Sequence, residues 1–204
     1  MNHKGTIQLE TERLILRRFS INDAEAMFKN WASDPEVTKF MTWPTHKDVG
    51  VSRWVLESWI PSYEKNDYYV WAITLKENGD EPIGNIHGLP KDEIEAVEFG
   101  YALGRKWWNK GIMTEVLHAA IDFFFEQVEV NSIRAYHDPY NPNSGKVMKK
   151  CGMKYEGTLR SADRNNQGIV DQCWYSILKS EWEVNKQSGP TITGGSICEE
   201  KTEK

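Results

Sequence analysis

The pattern of apolar and polar residues predicts a strand over residues 13–19 and two helices after it. Apolar side chains alternate with charged ones in the strand, as they do in a half-buried sheet. Ser20 with Asp23, and Thr45 with Asp48, each repeat the capping-box spacing that starts a helix. The chain is therefore predicted to open with one strand and two consecutive helices.

Three strand-like runs follow the helices, at residues 69–75, 83–89 and 94–103. The turn-forming segments Asn78–Asp80 and Pro90–Asp92 separate these runs. Short turns join antiparallel neighbours, so this part of the chain predicts an antiparallel meander.

A long helix is predicted to begin at Gly111, because apolar residues recur every three or four positions after it. The remaining predicted elements are a strand, a short helix and two strands, at residues 133–137, 141–151, 153–160 and 169–178. The strand–helix–strand order makes this part of the sheet parallel, which gives an α/β class with a mixed sheet. From Asn185 onward periodicity is lost, so we expect one domain over residues 1–184 and a disordered tail over residues 185–204.

Composition narrows the classes of protein to which the chain can belong. Its 204 residues suit one domain, and 30 acidic against 25 basic residues give a charge of −5, which disfavours nucleic acid and suits a cationic partner. The three cysteines lack the spacing of a metal site or a disulfide scaffold, and no apolar stretch suits a signal peptide or a membrane span. We expect a cytoplasmic protein that uses no metal, nucleic acid or membrane.

A basic loop joins the third meander strand to the long helix. Arg105, Lys106 and Lys110 lie in this loop, just before Gly111. The first amides of a helix have no partner within it and, with the helix dipole, favour an anion. The loop is therefore a candidate pyrophosphate site, although a solvated loop before a helix has the same composition.

The segment Trp108–Glu115 resembles the acetyl-CoA loop of the GNAT acetyltransferases, in particular the branch with the ribosomal-protein N-terminal (Rim-type) acetyltransferases. Two positions depart from the superfamily signature: Trp108 stands where Gln or Arg is usual, and Met113 where Gly or Ala is usual. Further segments resemble the same branch in the expected order and extend the likeness over residues 9–182: Thr11–Arg17, Phe40–Pro44, Glu98–Tyr101, Asn141–Ser144 and Gly152–Gly157.

The resemblance implies a GNAT fold, with a mixed, splayed β-sheet of about seven strands flanked by helices. It also implies an enzyme that transfers acetyl from its co-substrate acetyl-CoA to a primary amine, by direct attack in a ternary complex. The acceptor can be a protein N-terminal α-amine or a small-molecule amine. The alternative is a non-catalytic acyl-CoA-binding or regulatory protein. A homodimer is an open expectation, because dimers are the commonest assembly.

Glu98 is the candidate general base. In its predicted strand it shares a face with Ala96, Gly100 and Ala102, whose small side chains leave room for a ligand. From the pattern alone, a solvent-facing glutamate is the stronger interpretation. The resemblance changes this, because it implies that Glu98 removes the proton from the acceptor amine, directly or through water.

Asn141 and Ser144 have two interpretations. By spacing, Asn141 caps the short helix and Ser144 lies in its first turn. By resemblance, the asparagine contacts the pantetheine or the adenosine diphosphate of acetyl-CoA, and the serine protonates the sulfur. Many GNAT enzymes place a tyrosine seven residues after the asparagine, where this chain has Met148, which cannot donate a proton. Ser144 is therefore the candidate general acid, with Tyr140 in reserve.

The resemblance also implies where the two substrates bind. Acetyl-CoA is expected at Tyr101, Ala102, Leu103, Lys106, Trp108, Asn109, Lys110, Gly111, Ile112, Met113, Thr114, Asn141, Ser144 and Lys146. The backbone of the first three residues is expected to pair with the pantetheine amides as a strand does. On the acceptor side, we expect Trp43 to form a pocket wall and His87 to line the cleft, although core packing explains most aromatic residues at helical spacing.

Overall fold

The computed structural model of the protein describes residues 1–187. Its sheet has eight strands, one more than expected, in the spatial order β1-β2-β3-β4-β5-β6-β8-β7. Strands β1 to β8 lie at Leu9–Glu10, Leu14–Arg17, Tyr69–Leu75, Pro82–Lys91, Ala96–Leu103, Ser132–His137, Lys154–Asn165 and Gly168–Leu178. Helices α1 to α6 lie at Ala24–Met27, Pro35–Thr38, Val49–Trp59, Ile112–Phe123, Pro142–Lys150 and Lys179–Gln187.

The connection between β5 and β6 creates the only parallel pair among the described strands. The parallel arrangement predicted for residues 133–160 is wrong, because β8 lies between β6 and β7 and pairs antiparallel with both. The β3–β5 meander is antiparallel, as predicted, and α4 then carries the chain across to β6. Pairing of β5 with β6 ends at Phe99 and Ala135, although both strands continue. The two strands therefore diverge, which confirms the splayed sheet and leaves Gly100–Leu103 without a partner on that side.

The sheet separates two apolar cores. Val97, Phe99 and Leu103 of β5 pack into the core that contains α4, whereas Ala102 packs into the core formed by α1 and α3. This confirms the two faces predicted for β5. Glu98 alternates with the residues of the α4 side, so it lies on the face toward α1 and α3.

Helix boundaries show two differences from the sequence-based expectations. Helix α3 begins at Val49 and is capped by Asp48, whose carboxylate accepts from the Val51 N–H, while the Thr45 hydroxyl bonds to Thr38 instead. The short α2, capped by Asp34, is not predicted by any apolar period, because four residues are too few to show one. None of the helices within residues 1–187 combines the length and apolar character needed to cross a bilayer.

Helix α6 corrects part of the predicted tail. It extends to Gln187, so residues 185–187 are helical. The rest of the predicted tail, residues 188–204, lies outside the described residues.

Candidate active site

A cleft of about 910 Å³ lies where β5 and β6 diverge. Most residues predicted for the two substrates line it: Trp43, His87, Glu98, Tyr101, Ala102, Leu103, Trp108, Asn109, Gly111, Met113, Thr114, Asn141, Ser144 and Lys146. One cavity therefore brings together the predicted acceptor residues, the catalytic pair and most of the acetyl-CoA set.

Three predicted acetyl-CoA residues do not line the cleft. The Lys106 ammonium lies over the Trp107 ring, 5.3 Å from its centre. The Ile112 side chain is buried in the core, which leaves only its backbone for a ligand. Lys110 is exposed, and its carbonyl accepts from Arg13 at 3.1 Å. Arg105, the third cation of the loop, pairs with Asp34 at 2.9 Å.

The start of α4 is open to an anion. Gly111 precedes the helix with φ +74°, in the left-handed region that favours glycine, and no side chain caps the first turn. Helix α3, in contrast, is capped by Asp48. The loop is held from outside the cleft, because Arg13 binds both Lys110 and Glu115. The first-turn amides of α4 thus suit a diphosphate.

The free edge of β5 suits an extended ligand. Residues 100–103 have no neighbouring strand on the β6 side, so their backbone groups there can pair with amides of a ligand. The Leu103 carbonyl is already in use, since it accepts from the Trp108 indole at 2.7 Å. This role of Trp108 could not be read from the sequence.

The Tyr101 side chain is a functional candidate that the sequence analysis missed. Its hydroxyl lies 2.8 Å from the Ser144 hydroxyl and donates to the Ser144 carbonyl at 3.2 Å. Burial raises the pKa of Tyr101 above its usual value, so the phenol keeps its proton. The amide of Asn141 makes no capping hydrogen bond, contrary to the capping interpretation, and remains available to a ligand. Tyr140 lines the cleft but is 84% exposed.

Glu98 is half-buried, and its carboxylate forms no hydrogen bond or ion pair with the described residues. Its neighbour Tyr136 donates to Asp163 at 2.9 Å. Burial, the bond to Asp163 and the charges of Asp163 and Glu98 raise the pKa of Tyr136. The phenol therefore lies within the field of both carboxylates.

His87 lies against the glycine of the next strand. A Cβ on Gly100 would come within 2.4 Å of the His87 ring, so the glycine makes room for the imidazole. His87 is exposed within the cleft, and the desolvation caused by the surrounding cleft walls lowers the pKa of His87. No group of three or more His, Cys, Asp or Glu within residues 1–187 is arranged to hold a metal ion.

Comparison with known proteins places this geometry in a family. The profile described as "Acetyltransferase (GNAT) domain" matches residues 13–154. The chain belongs to the GNAT acetyltransferase family. It is therefore an N-acetyltransferase, and GNAT acetyltransferases take their acetyl group from acetyl-CoA.

Relatives and solved structures of this GNAT protein agree with the family. It is 33% identical to "Uncharacterized N-acetyltransferase p20" of Bacillus licheniformis, over 85% of this chain and 97% of the relative. It is 26% identical to "[Ribosomal protein uS5]-alanine N-acetyltransferase" of Escherichia coli, over 74% of this chain and 80% of the relative. Its fold is similar to a GNAT acetyltransferase of Bacillus anthracis, with TM-score 0.75 and 24% identity over 85% and 99% of the chains.

A further structure with the same fold contains the acetyl donor. This is the microcin C7 self-immunity acetyltransferase MccE in complex with acetyl-CoA and AMP, with TM-score 0.74 and 20% identity over 82% of this chain and 93% of the other.

Proposed function

We propose that this protein acetylates a primary amine by direct attack, with Glu98 as general base and Ser144 as general acid. The observation that carries the proposal is the position of the two residues in one cleft. They line it from opposite faces of the sheet, at the gap between β5 and β6. An amine and a thioester that enter from opposite faces would meet between them.

The residues present fit acetyl-CoA. The uncapped first turn of α4, with Gly111, would hold the diphosphate, and the free edge of β5 would hold the pantetheine. Lys146 and Lys150 of α5 line the same cleft and add positive charge. When bound, acetyl-CoA supplies an activated acetyl carbonyl.

The side chains divide the proton transfers. Glu98 takes one proton from the acceptor ammonium, which leaves a neutral amine. The nitrogen lone pair forms the C–N bond to the acetyl carbon as the C–S bond breaks. Ser144 gives its hydroxyl proton to the leaving sulfur, and Tyr101 can replace that proton. The nitrogen then loses its second proton to water, water returns a proton to the hydroxyl pair, and Glu98 releases its proton to solvent, so the net products are the amide, the free thiol and one proton.

Two acceptor classes compete for the cleft. The E. coli relative is named for an alanine of ribosomal protein uS5, which supports a protein α-amine. Trp43 and His87 border the Glu98 side of the cleft, which also suits a small amine held between an aromatic wall and polar groups. Both classes present the same primary nitrogen to Glu98.

Glu98→Gln tests the proposal. We expect turnover to fall by about 10² to 10⁴-fold, because the amide cannot accept the proton, while the Kd for acetyl-CoA stays unchanged in calorimetry. Glu93→Gln is the matched control, since Glu93 is exposed and outside the cleft. Thiol release is followed with an amine panel that includes a peptide with a free N-terminus. Wild-type rates across pH in Glu98→Gln would exclude the base role.

A further inference from the structure

The acceptor side of the cleft is acidic. Five carboxylates line the cleft, and none of them forms an ion pair within residues 1–187: Glu36, Glu98, Asp138, Asp163 and Asp171. Their side-chain contacts are to neutral donors only. Tyr136 and Gln172 donate to Asp163 at 2.9 and 3.1 Å, and Asn165 donates to Asp138 at 2.7 Å. The negative charge on this side is therefore not balanced by the protein.

The cationic side chains near the cleft form no ion pairs with these carboxylates among the described residues. Lys146 and Lys150 lie on α5, on the acetyl-CoA side, and Lys39 lies over the Phe40 ring at 5.4 Å. Arg134 is level with Glu98 on β6, but it forms no ion pair with any described residue and does not line the cleft. A bound ligand is thus the natural source of positive charge.

A buried amide points independently to a ligand. Asn85 is only 7% exposed, lines the cleft and makes no side-chain hydrogen bond to the described residues. The Asn85 amide is not among the fully buried atoms without a partner, so it is reachable from the cleft, where a ligand can form hydrogen bonds with it. Its oxygen can accept from an ammonium. Desolvation lowers the pKa of the cleft histidines His46 and His87, so both favour the neutral form.

Aromatic side chains provide the apolar part of the same wall. Trp43, Trp54 and Trp59 line the cleft, and Trp54 is 68% exposed. A tryptophan ring attracts an ammonium through its negative face and also packs against methylene groups. This combination suits an alkyl chain that carries positive charge.

A hydrogen-bonded clasp joins the β7–β8 turn to the end of α2 and the segment after it, beside the cleft. Asn166, in the turn between β7 and β8, donates from its side chain to the carbonyls of Thr38 and Trp43, both at 2.9 Å. Its backbone N–H donates to the Met41 carbonyl at 3.2 Å. Met41 and Trp43 line the cleft on one side of this clasp and Asn165 on the other. The clasp thus borders the acceptor side.

We propose that the acceptor is a slender aliphatic di- or polyamine. The inference rests on the proposed acetyl transfer and names its substrate class. Glu98 takes the proton from the reacting nitrogen, and Asp163, on the other side of the Tyr136 phenol, binds the distal ammonium. Asn85 and the tryptophan wall contact the rest of the chain.

Matched pairs of acceptors test the second charge. Butylamine is compared with 1,4-diaminobutane, and pentylamine with 1,5-diaminopentane, by thiol release from acetyl-CoA. A peptide with an N-terminal alanine is the protein-type acceptor. We expect kcat/KM to be at least about 10-fold higher for each diamine than for its monoamine. Calorimetry with the protein and diamine alone should show binding that weakens as salt is raised.

Charge-removing variants assign the preference to the cleft. Asp163→Asn keeps the size of the side chain. We expect it to reduce the ratio of kcat/KM for the diamine to kcat/KM for the monoamine, chiefly by raising the KM of the diamine. Asp171→Asn is a second variant should the first fail to fold. Glu57→Gln, exposed on α3 and outside the cleft, should keep the wild-type ratio.

The possible outcomes separate the two proposals. Equal efficiency for monoamine and diamine, or a preference for the peptide over both, overturns the di- or polyamine class and leaves acetyl transfer intact. An unchanged ratio in both aspartate variants overturns the assigned carboxylates. Absence of thiol release with every acceptor, the peptide included, overturns both proposals.

Discussion

The phenol oxygen of Tyr101 lies 2.8 Å from the hydroxyl oxygen of Ser144, on the α5 side of the cleft. The phenol donates to the Ser144 carbonyl, so the serine hydroxyl is the donor in the shorter contact unless it turns toward a ligand. A serine that gives its proton to sulfur then has a second hydroxyl within reach. The two residues are therefore expected to act as one unit.

Ser144→Ala should lower turnover by about 10²-fold, because the leaving sulfur loses its proton donor. Tyr101→Phe should lower turnover less, and the double variant should be no slower than Ser144→Ala, since coupled residues give non-additive effects. Steady-state kinetics measures the turnover of each variant, and denaturation curves check that each variant is folded. Tyr140→Phe is the control. A loss of rate in Tyr140→Phe, with Ser144→Ala active, would transfer the acid role to Tyr140.

Gly111→Ala should weaken acetyl-CoA binding by about 5 to 30-fold, because a left-handed φ costs other residues roughly 1–2 kcal/mol and the loop moves to relieve it. The cause is the backbone, since only one Arg13 atom, at 3.6 Å, lies near the new Cβ. Gly79→Ala is the control, because Gly79 has a similar φ of +73° and lies outside the cleft. It should leave the Kd measured by calorimetry unchanged, and equal Kd values in both variants would contradict the loop assignment.

Glu115→Gln should lose stability at neutral pH but not in acid. Partial burial of Glu115 acts to raise its pKa, but hydrogen bonds from Thr11 and Arg13 and the Arg13 charge lower it overall. A lowered folded-state pKa stabilises the protein above the unfolded value near 4.3, and this stabilisation is lost as pH falls through the folded value. We expect the free energy of unfolding of Glu115→Gln to be lower than that of the wild type by about 0.5–1 kcal/mol at pH 7, allowing for solvent screening.

Urea unfolding at pH 7 and near pH 3.5 measures this difference, with Glu25→Gln as an exposed control. A difference that persists unchanged at the lower pH would show that the charge of Glu115 is not its source.

Asn166→Ala should widen the range of acceptors. The change removes two side-chain hydrogen bonds beside the cleft, so branched amines should gain about 10-fold in kcat/KM relative to linear ones. The control, Gln167→Ala, alters the next residue of the same turn, whose side chain makes no hydrogen bond within residues 1–187. An identical acceptor range in both variants and the wild type would show that the clasp does not select by width.

The sequence predicts the elements that carry a strong local signal. The run at residues 69–75 matches β3 because every residue of that strand is buried, and Phe123, Phe124 and Phe125 are buried as expected. The start of α4 follows from residues that are close in the chain. The parallel order predicted for residues 133–160 fails, because the last strand of the chain inserts between β6 and β7, and such an insertion has no local signal.

Contacts between distant segments could not be predicted in this way. Tyr101 and Ser144 are 43 residues apart, and Asn166 reaches Thr38 across 128 residues. Such pairs depend on how distant elements pack together in the fold, which the spacing of apolar residues along the chain does not encode. Asn141 shows a second limit, because its type and position suit a cap, yet its side chain makes no capping bond.

The divergence of β5 and β6 also leads to an expectation for the kinetic order of the proposed reaction. The gap between the two strands separates the two faces of the sheet, so acetyl-CoA and the amine are expected to reach it from opposite faces. We therefore expect either substrate to be able to bind first. Initial-velocity plots should show intersecting lines, the signature of a sequential mechanism without an acylated protein side chain.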